Sequence, residues 1–256
     1  MPELSDLDIR CVRAPNPGPF TLDGTNTWIL GRDPCWIVDP GPAIASHVEA
    51  VAAEAQARGG VGGIALTHDH ADHAQALAEL RLRCREPPVA AARGTVDPTL
   101  GDGDSFGPLR TVSTPGHAPD HLAFVTDAGA CFTGDAVLGT GSVFIASDPG
   151  ALSGYLRGLR RLRELELVVI CPGHGPPVWT PAEKIDAYVS HRLDRERRLL
   201  DALGRGLRSA DELLDDVWDD APAALRPAAA LTLAAHLDKL AEEGRLPAGV
   251  QRPVAS

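Results

Sequence analysis

Four short segments of this 256-residue chain carry side chains that can bind metal ions. They read THDHADH at 67–73, TPGH at 114–117, TGDA at 133–136 and PGHG at 172–175. Neutral imidazole and carboxylate groups are ligands for Zn²⁺, and they suit Fe²⁺ and Mn²⁺ nearly as well. The first segment is the most specific, because the pattern H-x-H-x-D-H would arise by chance in roughly one in a thousand chains of this length. Together the four segments predict a metal site.

The spacing within 67–73 provides ligands for more than one ion. His68 and His70 are two residues apart, so their side chains project to the same side of an extended strand end. Asp72 and His73 fall in the tight turn and first helical turn that follow. Two separate pairs of ligand side chains therefore come from these seven residues.

Each ligand segment directly follows a predicted strand. The apolar runs that predict these strands lie at 64–66, 109–112, 130–133 and 167–170. Loops at the strand ends of one sheet edge present their side chains to a single crevice. The sequence therefore predicts one site built from four loops.

The remaining pattern predicts an α/β layered domain followed by a helical region. Strands that alternate with helices are typical of layered α/β domains. Further strands are predicted at 27–30, 35–39, 89–91 and 122–125, and helices at 43–58, 71–85 and 150–165. Beyond residue 181 nearly every segment favours helix. We therefore divide the chain into a catalytic domain at 1–180 and a small helical subdomain at 181–256.

The charge balance limits the classes of partner. The chain has 35 Asp plus Glu against 24 Lys plus Arg, a formal net charge of −11, and an acidic field repels polyphosphates. Aromatic residues make up 4% of the chain, so platforms for stacking bases are scarce. Two arginine-rich runs, at 157–163 and 192–198, are either an RNA track or solvated helix faces. Bound divalent ions would make the cleft locally positive, so a short single strand or a small anionic ester stays compatible with the charge.

The cysteines and the start of the chain indicate a cytoplasmic protein. The five cysteines are odd in number and form no CxxC pair, and most lie in apolar surroundings, so we expect buried free thiols. The first residues are acidic and lack the apolar core of a signal peptide. No stretch is long and uncharged enough to span a bilayer, so we expect no contact with membranes.

In type, order and spacing, the four ligand segments resemble those of the metallo-beta-lactamase superfamily over about residues 10–180. The resemblance implies a four-layer αββα sandwich that holds two metal ions, usually Zn²⁺ and alternatively Fe²⁺ or Mn²⁺, at one edge. It also implies a complete ligand set: His68, His70 and His117 for the first ion, Asp72, His73 and His174 for the second, and Asp135 as the bridge between the two.

Other polar residues near these segments have expected roles. Asp72 is expected to orient or deprotonate the nucleophile as well as bind metal. Asp39, which ends a strand in VDPG, is expected to hydrogen-bond the 67–73 loop and fix the ligand geometry. His121 and His191 are expected to act as a general acid or to bind an anionic end of the substrate. The alternatives are a packing or supporting role for His121 and a surface position for His191.

The outer segments resemble one subgroup of the superfamily. The stretches 21–30, 114–124 and 172–200 resemble the beta-lactamase-like protein 2 group, and 209–246 resembles its winged-helix-like tail. That group includes an endoribonuclease for single-stranded RNA and thioesterases that release polyketides from carrier proteins. The tail of this chain is rich in acidic residues, so we expect a lid or packing role for it and no binding of duplex DNA.

We therefore expect a dinuclear, metal-dependent hydrolase that uses a metal-bridging hydroxide and needs no side-chain nucleophile. Two divalent ions about 3.5–4 Å apart lower the pKa of a shared water toward neutrality and stabilise charge on the attacked and leaving oxygens. The substrate is either a short single-stranded RNA, which the subgroup favours slightly, or a small ester or thioester, as in hydroxyacylglutathione hydrolase or an acyl-carrier thioesterase. A non-catalytic metal-binding protein is disfavoured by the intact ligand set. A true beta-lactamase is disfavoured because that branch typically has Cys or Ser at the position of Asp135. The sequence leaves the oligomeric state open.

Overall fold

Two five-stranded sheets form the larger part of the structure, a computed structural model that describes residues 3–145 and 147–253. The strands of the first sheet, in order across it, are β1 (Ile9–Arg13), β2 (Asn26–Leu30), β3 (Cys35–Val38), β4 (Val61–Ala65) and β5 (Val89–Ala90). Those of the second, in order from one edge, are β6 (Ser105–Phe106), β7 (Leu109–Ser113), β8 (Leu122–Val125), β9 (Ala130–Gly134) and β10 (Val169–Pro172).

Seven α-helices join or flank these strands in the described residues. They are α1 (Ala45–Ala57), α2 (Ala71–Ala74), α3 (Leu77–Arg83), α4 (Ala151–Arg163), α5 (Pro181–Gly204), α6 (Ala210–Val217) and α7 (Arg226–Glu242). The strand pairs β3–β4, β4–β5 and β9–β10 are parallel, and the other neighbours are antiparallel. Parallel neighbours need crossover connections, and α1 and α4 lie in two of these. The α/β class predicted from the sequence is confirmed.

The two sheets pack against each other through one face each. Trp28 of β2 and Phe124 and Phe132 of the second sheet lie in the core between them. Because strand side chains alternate between faces, Ile29 points the other way and packs beneath α1 and α3. On the far side of the second sheet, α4 inserts Tyr155 into the outer core. The layers are therefore helix, sheet, sheet and helix, as the family resemblance implies.

Helix α5 connects this sandwich to a second, smaller core. Near its start, Ile185 and Tyr188 pack into the cluster that α4 forms on the sandwich. Further along, Leu199 and Leu203 pack with α6 and α7 in a separate cluster. The described part of the chain after β10, residues 173–253, forms helices and no strand of its own. One long helix thus fixes the position of the C-terminal helices against the sandwich.

The helix predicted at 71–85 is interrupted, so this expectation is wrong in one respect. The backbone breaks between α2 and α3, where it pairs with the turn after β3. Gly41 N–H donates to the carbonyl of His73 at 2.8 Å, and Ala76 N–H donates to the carbonyl of Gly41 at 2.9 Å. The interruption fixes His73 beside that turn, a long-range contact that helical periodicity does not show.

Gly63 is a position where one added methyl group is expected to destabilise the sandwich. A Cβ there would lie 2.5 Å from Phe106 Cζ and 2.5 Å from Trp36 Cζ3, in two rings that pack edge to face. Gly63→Ala is expected to lower the free energy of unfolding by about 1–3 kcal/mol, measured by urea denaturation. Gly204→Ala is the control, because no atom lies within 4 Å of its added Cβ. Equal stability of the two variants would contradict this account.

The expectation that the cysteines are buried free thiols is confirmed in part. All five are free, and Cys35, Cys131 and Cys171 are buried, whereas Cys11 and Cys84 are partly exposed. Burial raises the pKa of Cys131 to about 12, so this thiol stays protonated and unreactive. Among the described helices, none is both long and apolar enough to cross a membrane.

Candidate metal centre

The four ligand segments come together at one edge of the sandwich. They follow or end β4, β7, β9 and β10. All seven side chains named as ligands fall into three overlapping groups, in each of which the donor atoms lie within 4.8 Å of one another. The groups are His68, His70 and His117; His68, His73 and Asp135; and Asp72, His73 and His174. The first and third groups coincide with the two ligand sets that the resemblance implies.

Asp135 lies between these two sets. Its Oδ2 is 3.5 Å from His117 Nε2 in the first set. Its Oδ1 is 3.4 Å from His174 Nε2 and 3.5 Å from His73 Nε2 in the second. Each carboxylate oxygen thus faces a different set, which is the position that the family resemblance implies for Asp135.

Three buried atoms of the cluster lack any hydrogen-bond partner in the described structure. They are His68 Nε2, His73 Nε2 and Asp135 Oδ1. Leaving buried polar atoms unpaired costs free energy, and nearly all such atoms in folded proteins are paired. A cation coordinated by these lone pairs accounts for all three. The donor set, imidazole nitrogen with carboxylate oxygen, therefore fits a divalent transition metal.

Asp39 and Thr67 fix which nitrogen of two ligand histidines faces the cluster. Asp39 Oδ2 lies 2.9 Å from His73 Nδ1, so that nitrogen donates and Nε2 keeps its lone pair. The Thr67 hydroxyl donates to the same oxygen at 2.7 Å and lies 2.9 Å from His68 Nδ1. Asp39 Oδ1 also accepts from Thr67 N–H at 2.8 Å. The expected contact between Asp39 and the 67–73 loop is confirmed.

Two of the other three histidines of the cluster are oriented by backbone carbonyls. His117 Nδ1 lies 3.3 Å from the carbonyl oxygen of Phe144, and His174 Nδ1 lies 3.4 Å from that of Gly24. In both rings Nε2 is then left for the cluster. His70 presents Nδ1, which lies 2.9 Å from His117 Nε2. Every histidine of the set therefore directs one ring nitrogen toward the same space.

Gly173 makes room for this arrangement. A Cβ at this position would lie 2.5 Å from Asp135 Oδ1 and 2.6 Å from His73 Cε1. Any side chain there would displace atoms of two expected ligands. The glycine of the PGHG segment is thus required by close approach to the cluster.

The charges of the cluster shift its pKa values in opposite directions. Burial lowers the pKa of His174, but its contacts with Asp135 and Asp72 outweigh burial and raise it to about 10. Burial raises the pKa of Asp72, but the contacts with His174 and His73 together outweigh it and lower the pKa to about 2. For His117 burial dominates and lowers the pKa to about 4. Asp72 and Asp135 thus place negative charge among the histidines, which favours a bound cation.

His121 lies behind the cluster, and it does not line the cleft. Its ring is 1% exposed, its Nδ1 lies 2.8 Å from Thr114 Oγ1, and its Nε2 accepts from Asp135 N–H at 3.1 Å. Burial lowers its pKa to about 3. Both nitrogens are engaged within the protein, so the contacts support a role in positioning Asp135 rather than proton transfer to a leaving group.

A cleft with a volume of about 450 Å³ runs from the metal ligands to the C-terminal helices. His70, Asp72 and His174 line it at the metal end. Most of the remaining wall is apolar and comes from three distant parts of the chain: Phe20 and Leu22 before β2, Leu138, Val143 and Phe144 after β9, and Trp218, Pro222, Leu225, Ala228 and Ala229 near α6 and α7. The C-terminal helices therefore form one side of the cleft, consistent with the lid or packing role expected for the tail.

His191 lines this cleft from α5, in contrast to His121. Its Nε2 accepts from Arg195 Nε–H at 3.3 Å, and its Nδ1 lies 3.5 Å from Ser142 Oγ. Burial, with the charges of Arg192 and Arg195, lowers the pKa of His191 to about 4. The ring is therefore neutral at pH 7, which opposes a general-acid role and favours hydrogen bonding to a ligand.

Sequence reasoning did not identify the cleft walls. Phe144, Trp218 and Arg192 lie in separate segments, and no sequence pattern identified any of them as a residue of the cleft. The sequence signals were His191 itself and the change to a helix-rich tail, which indicated a covering element but not the residues on its inner face.

Comparisons with known proteins agree with this geometry. A family model of the metallo-beta-lactamase superfamily matches residues 20–104, and one of the beta-lactamase associated winged helix domain matches residues 209–247. A Caenorhabditis elegans protein named beta-lactamase-like protein 2 homolog is 31% identical over 260 residues, covering 94% of this chain and 86% of the relative. An Aspergillus chevalieri protein named atrochrysone carboxyl ACP thioesterase is 32% identical over 247 residues, covering 87% and 77%.

A solved structure shows the same architecture. The crystal structure of a metallo-beta-lactamase family protein from Thermus thermophilus matches with a TM-score of 0.74 and 25% identity, covering 93% of this chain and 94% of that chain. Both the sandwich and the C-terminal helices are therefore shared with known members. The chain belongs to the metallo-beta-lactamase superfamily of hydrolases, in the group of the beta-lactamase-like protein 2 homologues.

Proposed function

We propose that this hydrolase cleaves thioesters, and related esters, whose acyl group lies in the cleft beside the C-terminal helices. The observation that carries the proposal is the apolar wall that leads away from the metal ligands. Concave, mostly apolar sites with a few placed polar groups are typical of small-molecule substrates. The relative named as an ACP thioesterase supports the same substrate class. The proposal reverses the slight preference for RNA that the subgroup resemblance gave.

The arginine-rich run on α5 supports this choice over single-stranded RNA. An RNA track needs cations that are free to contact phosphates. Three arginines of the run instead form ion pairs at 2.6–2.7 Å within the protein: Arg195 with Asp220, Arg197 with Asp194, and Arg198 with Asp219. Base-stacking rings are also few in the cleft, where Phe20, Phe144 and Trp218 are the aromatic side chains of the described wall, apart from the histidines. A phosphodiester is therefore the second candidate.

Hydrolysis of a thioester requires attack by water and protonation of the departing thiolate. The water oxygen bonds to the acyl carbon, the carbon–sulfur bond breaks, and the products are a carboxylate and a thiol. Divalent metals held by the seven ligands would supply Lewis acidity and activate water. Asp72, with its Oδ2 held 3.1 Å from the Thr25 hydroxyl, lines the cleft, accepts the proton that the water loses and returns it to the departing thiolate. The carboxylic acid product then releases its own proton to solvent. The apolar wall orients the acyl group and excludes bulk water from the reacting carbon.

Metal analysis tests the chemical basis of the proposal. Freshly purified protein is expected to contain about two divalent ions per chain, with Zn²⁺ preferred and Fe²⁺ or Mn²⁺ as alternatives. Elemental analysis measures both the number and the identity of the ions. Removal by a chelator should abolish hydrolysis, and re-addition of the metal should restore it. Less than about one ion per chain, or activity that survives chelation, would contradict a metal-dependent reaction.

A parallel assay tests the substrate class. The metal-loaded wild-type protein is assayed on an acyl thioester, a single-stranded RNA and a chromogenic lactam. The Asp72→Ala variant is assayed on the same three substrates. We expect turnover of the thioester, with little dependence on added salt because its acyl centre is neutral. RNA cleavage that falls steeply with salt would instead establish a phosphodiesterase. Equal activity of the wild-type protein and the Asp72→Ala variant would indicate a contaminating enzyme or a different mechanism.

Filling the apolar end of the cleft is expected to shorten the acyl group that is accepted. Ala229 on α7 lines the cleft and is 6% exposed. Ala229→Leu is expected to lower kcat/KM for a long-chain acyl thioester by about tenfold and to leave an acetyl thioester nearly unchanged. Ala241→Leu, on an exposed position of the same helix, is the matched control. Equal losses for both substrates would mean that the acyl group does not occupy this end.

A further inference from the structure

One wall of the cleft holds an arginine whose charge no carboxylate balances. Arg192 lines the cleft and is 2% exposed. Its Nη2 donates to Ser142 Oγ at 3.0 Å and to the carbonyl oxygen of Val143, whereas its Nε has no hydrogen-bond partner. Among the described residues, no Asp or Glu oxygen lies within 4.0 Å of a side-chain nitrogen of Arg192, the distance limit for an ion pair. A buried charge without a counter-charge is costly, so this site favours an anion.

The neighbouring Arg195 differs in this respect. Both oxygens of the Asp220 carboxylate lie 2.6 Å from its Nη2, and its Nη1 donates to the carbonyl oxygen of Val217. Its Nε–H is directed at His191 Nε2. Because each of its three nitrogens is engaged and its charge is paired, Arg195 serves to orient its neighbour.

His191 adds a directed donor beside Arg192. Since its Nε2 accepts from Arg195, the hydrogen of the neutral ring is on Nδ1. In the described structure the hydrogen-bond partner of that nitrogen is Ser142 Oγ at 3.5 Å, the outer limit of a hydrogen bond. The Nδ1–H group is therefore available to a ligand in the cleft.

We infer that Arg192 and His191 bind a second carboxylate of the substrate, so that the preferred thioester is that of a dicarboxylic acid rather than of a plain fatty acid. This inference rests on the proposed thioesterase function. A guanidinium and an N–H donor on one wall give a carboxylate both a counter-charge and a hydrogen bond. The apolar remainder of the cleft contacts the methylene chain that separates the two acid groups.

Arg192 also holds the loop at 142–143, so its replacement alone would not separate charge recognition from loop support. A supporting role would lower turnover of all acyl substrates by similar factors. Charge recognition would instead change the ratio between a carboxylate-ended substrate and a methyl-ended one of equal length. His191 gives a milder variant, since it is partly exposed and its loss leaves the loop contacts of Arg192 in place.

The experiment compares two homologous series of acyl thioesters, one ending in a carboxylate and one in a methyl group. The wild-type protein, Arg192→Gln, His191→Leu and His191→Asn are assayed in the metal-loaded form. We expect the wild type to prefer the carboxylate-ended member of at least one pair by about tenfold or more in kcat/KM. Arg192→Gln and His191→Leu should lose most of this preference, and His191→Asn, which keeps an N–H donor, should retain part of it.

A wild-type protein without this preference, or variants that keep it in full, would overturn the inference. If no thioester is hydrolysed, the proposed function fails, and binding of the free acids then decides the inference separately. Calorimetry should show that a dicarboxylate binds more tightly than the monocarboxylate of equal length, and that His191→Leu removes the difference. Equal affinities would reject the carboxylate site whatever the enzyme's substrate.

Discussion

Asp72→Ala is expected to lower kcat/KM by about 10²–10⁴, the contribution of a positioned general base. Its Oδ2 lies 3.3 Å from His174 Nε2 and 3.4 Å from His73 Nε2, and the side chain also lines the cleft. Asp72 therefore lies both among the expected ligands and beside the substrate. Its loss removes the proton acceptor and one carboxylate of the second ligand set. Steady-state kinetics on the best thioester, with elemental analysis of the same sample, measures both effects.

Asp69→Ala is the matched control, because Asp69 lies in the same loop but points away from the cluster. Its side chain is 58% exposed and pairs with Arg93 at 3.2 Å. Exposed ion pairs contribute little to stability, so this variant should keep its metal and its activity. If Asp72→Ala kept its activity, the proposed proton transfer would be wrong. If both variants lost activity equally, the effect would belong to the loop as a whole.

The metal site could be predicted largely from the sequence because its ligands come in short segments. His68, His70 and His73 are close in the chain, and their segment follows an apolar run that forms β4. Strands β7 and β9 both lie antiparallel to β8, so they run in the same direction, and β10 is parallel to β9. The segments that follow β7, β9 and β10 therefore reach the same edge of the sheet. Local motifs at strand ends therefore contained most of the information.

The cleft could not be predicted in the same way because its walls are set by tertiary contacts. The loop after β9 is held by α5, whose Tyr188 hydroxyl donates to the carbonyl of Gly141 and accepts from Leu138 N–H, each at 3.0 Å. Lys184 and Arg192, one helical turn to either side of Tyr188, bind the same loop. The helical spacing is visible in the sequence, but nothing in it indicates which loop the helix face contacts.

His121 and His191 show the limit of reasoning from residue type. Both lie in segments that resemble the same subgroup, and both were expected to reach the cleft. Burial lowers the pKa of each, to about 3 for His121 and about 4 for His191. What separates them is the partner: the Asp135 backbone N–H occupies His121 Nε2, whereas Arg195 leaves His191 Nδ1 free for the cleft. Hydrogen-bond partners of this kind depend on tertiary structure.

Asp39→Asn is expected to weaken metal binding by about 10–100-fold, the typical effect of losing a partner of a ligand histidine. The carboxylate accepts three hydrogen bonds, two from Thr67 and one from His73 Nδ1. An asparagine keeps the acceptor for Thr67 N–H but would place an NH₂ group where Oδ2 lies. His73 Nδ1 would then have to accept, which moves its hydrogen to Nε2, the nitrogen that faces Asp135. That tautomer cannot bind a metal through Nε2.

The Asp39→Asn substitution is not expected to strain the backbone. The φ of 55° at this position lies in the left-handed region that both Asp and Asn tolerate. Competition with a chelator measures the metal affinity, and urea denaturation of the metal-free protein reports any loss of folding separately. Asp104→Asn is the matched control, since Asp104 accepts a backbone N–H from Gly101 at 2.7 Å in an exposed loop. Unchanged metal affinity in Asp39→Asn would show that the tautomer of His73 is set by the metal itself. A weaker affinity with intact folding would show that the carboxylate of the VDPG turn selects the nitrogen that His73 offers.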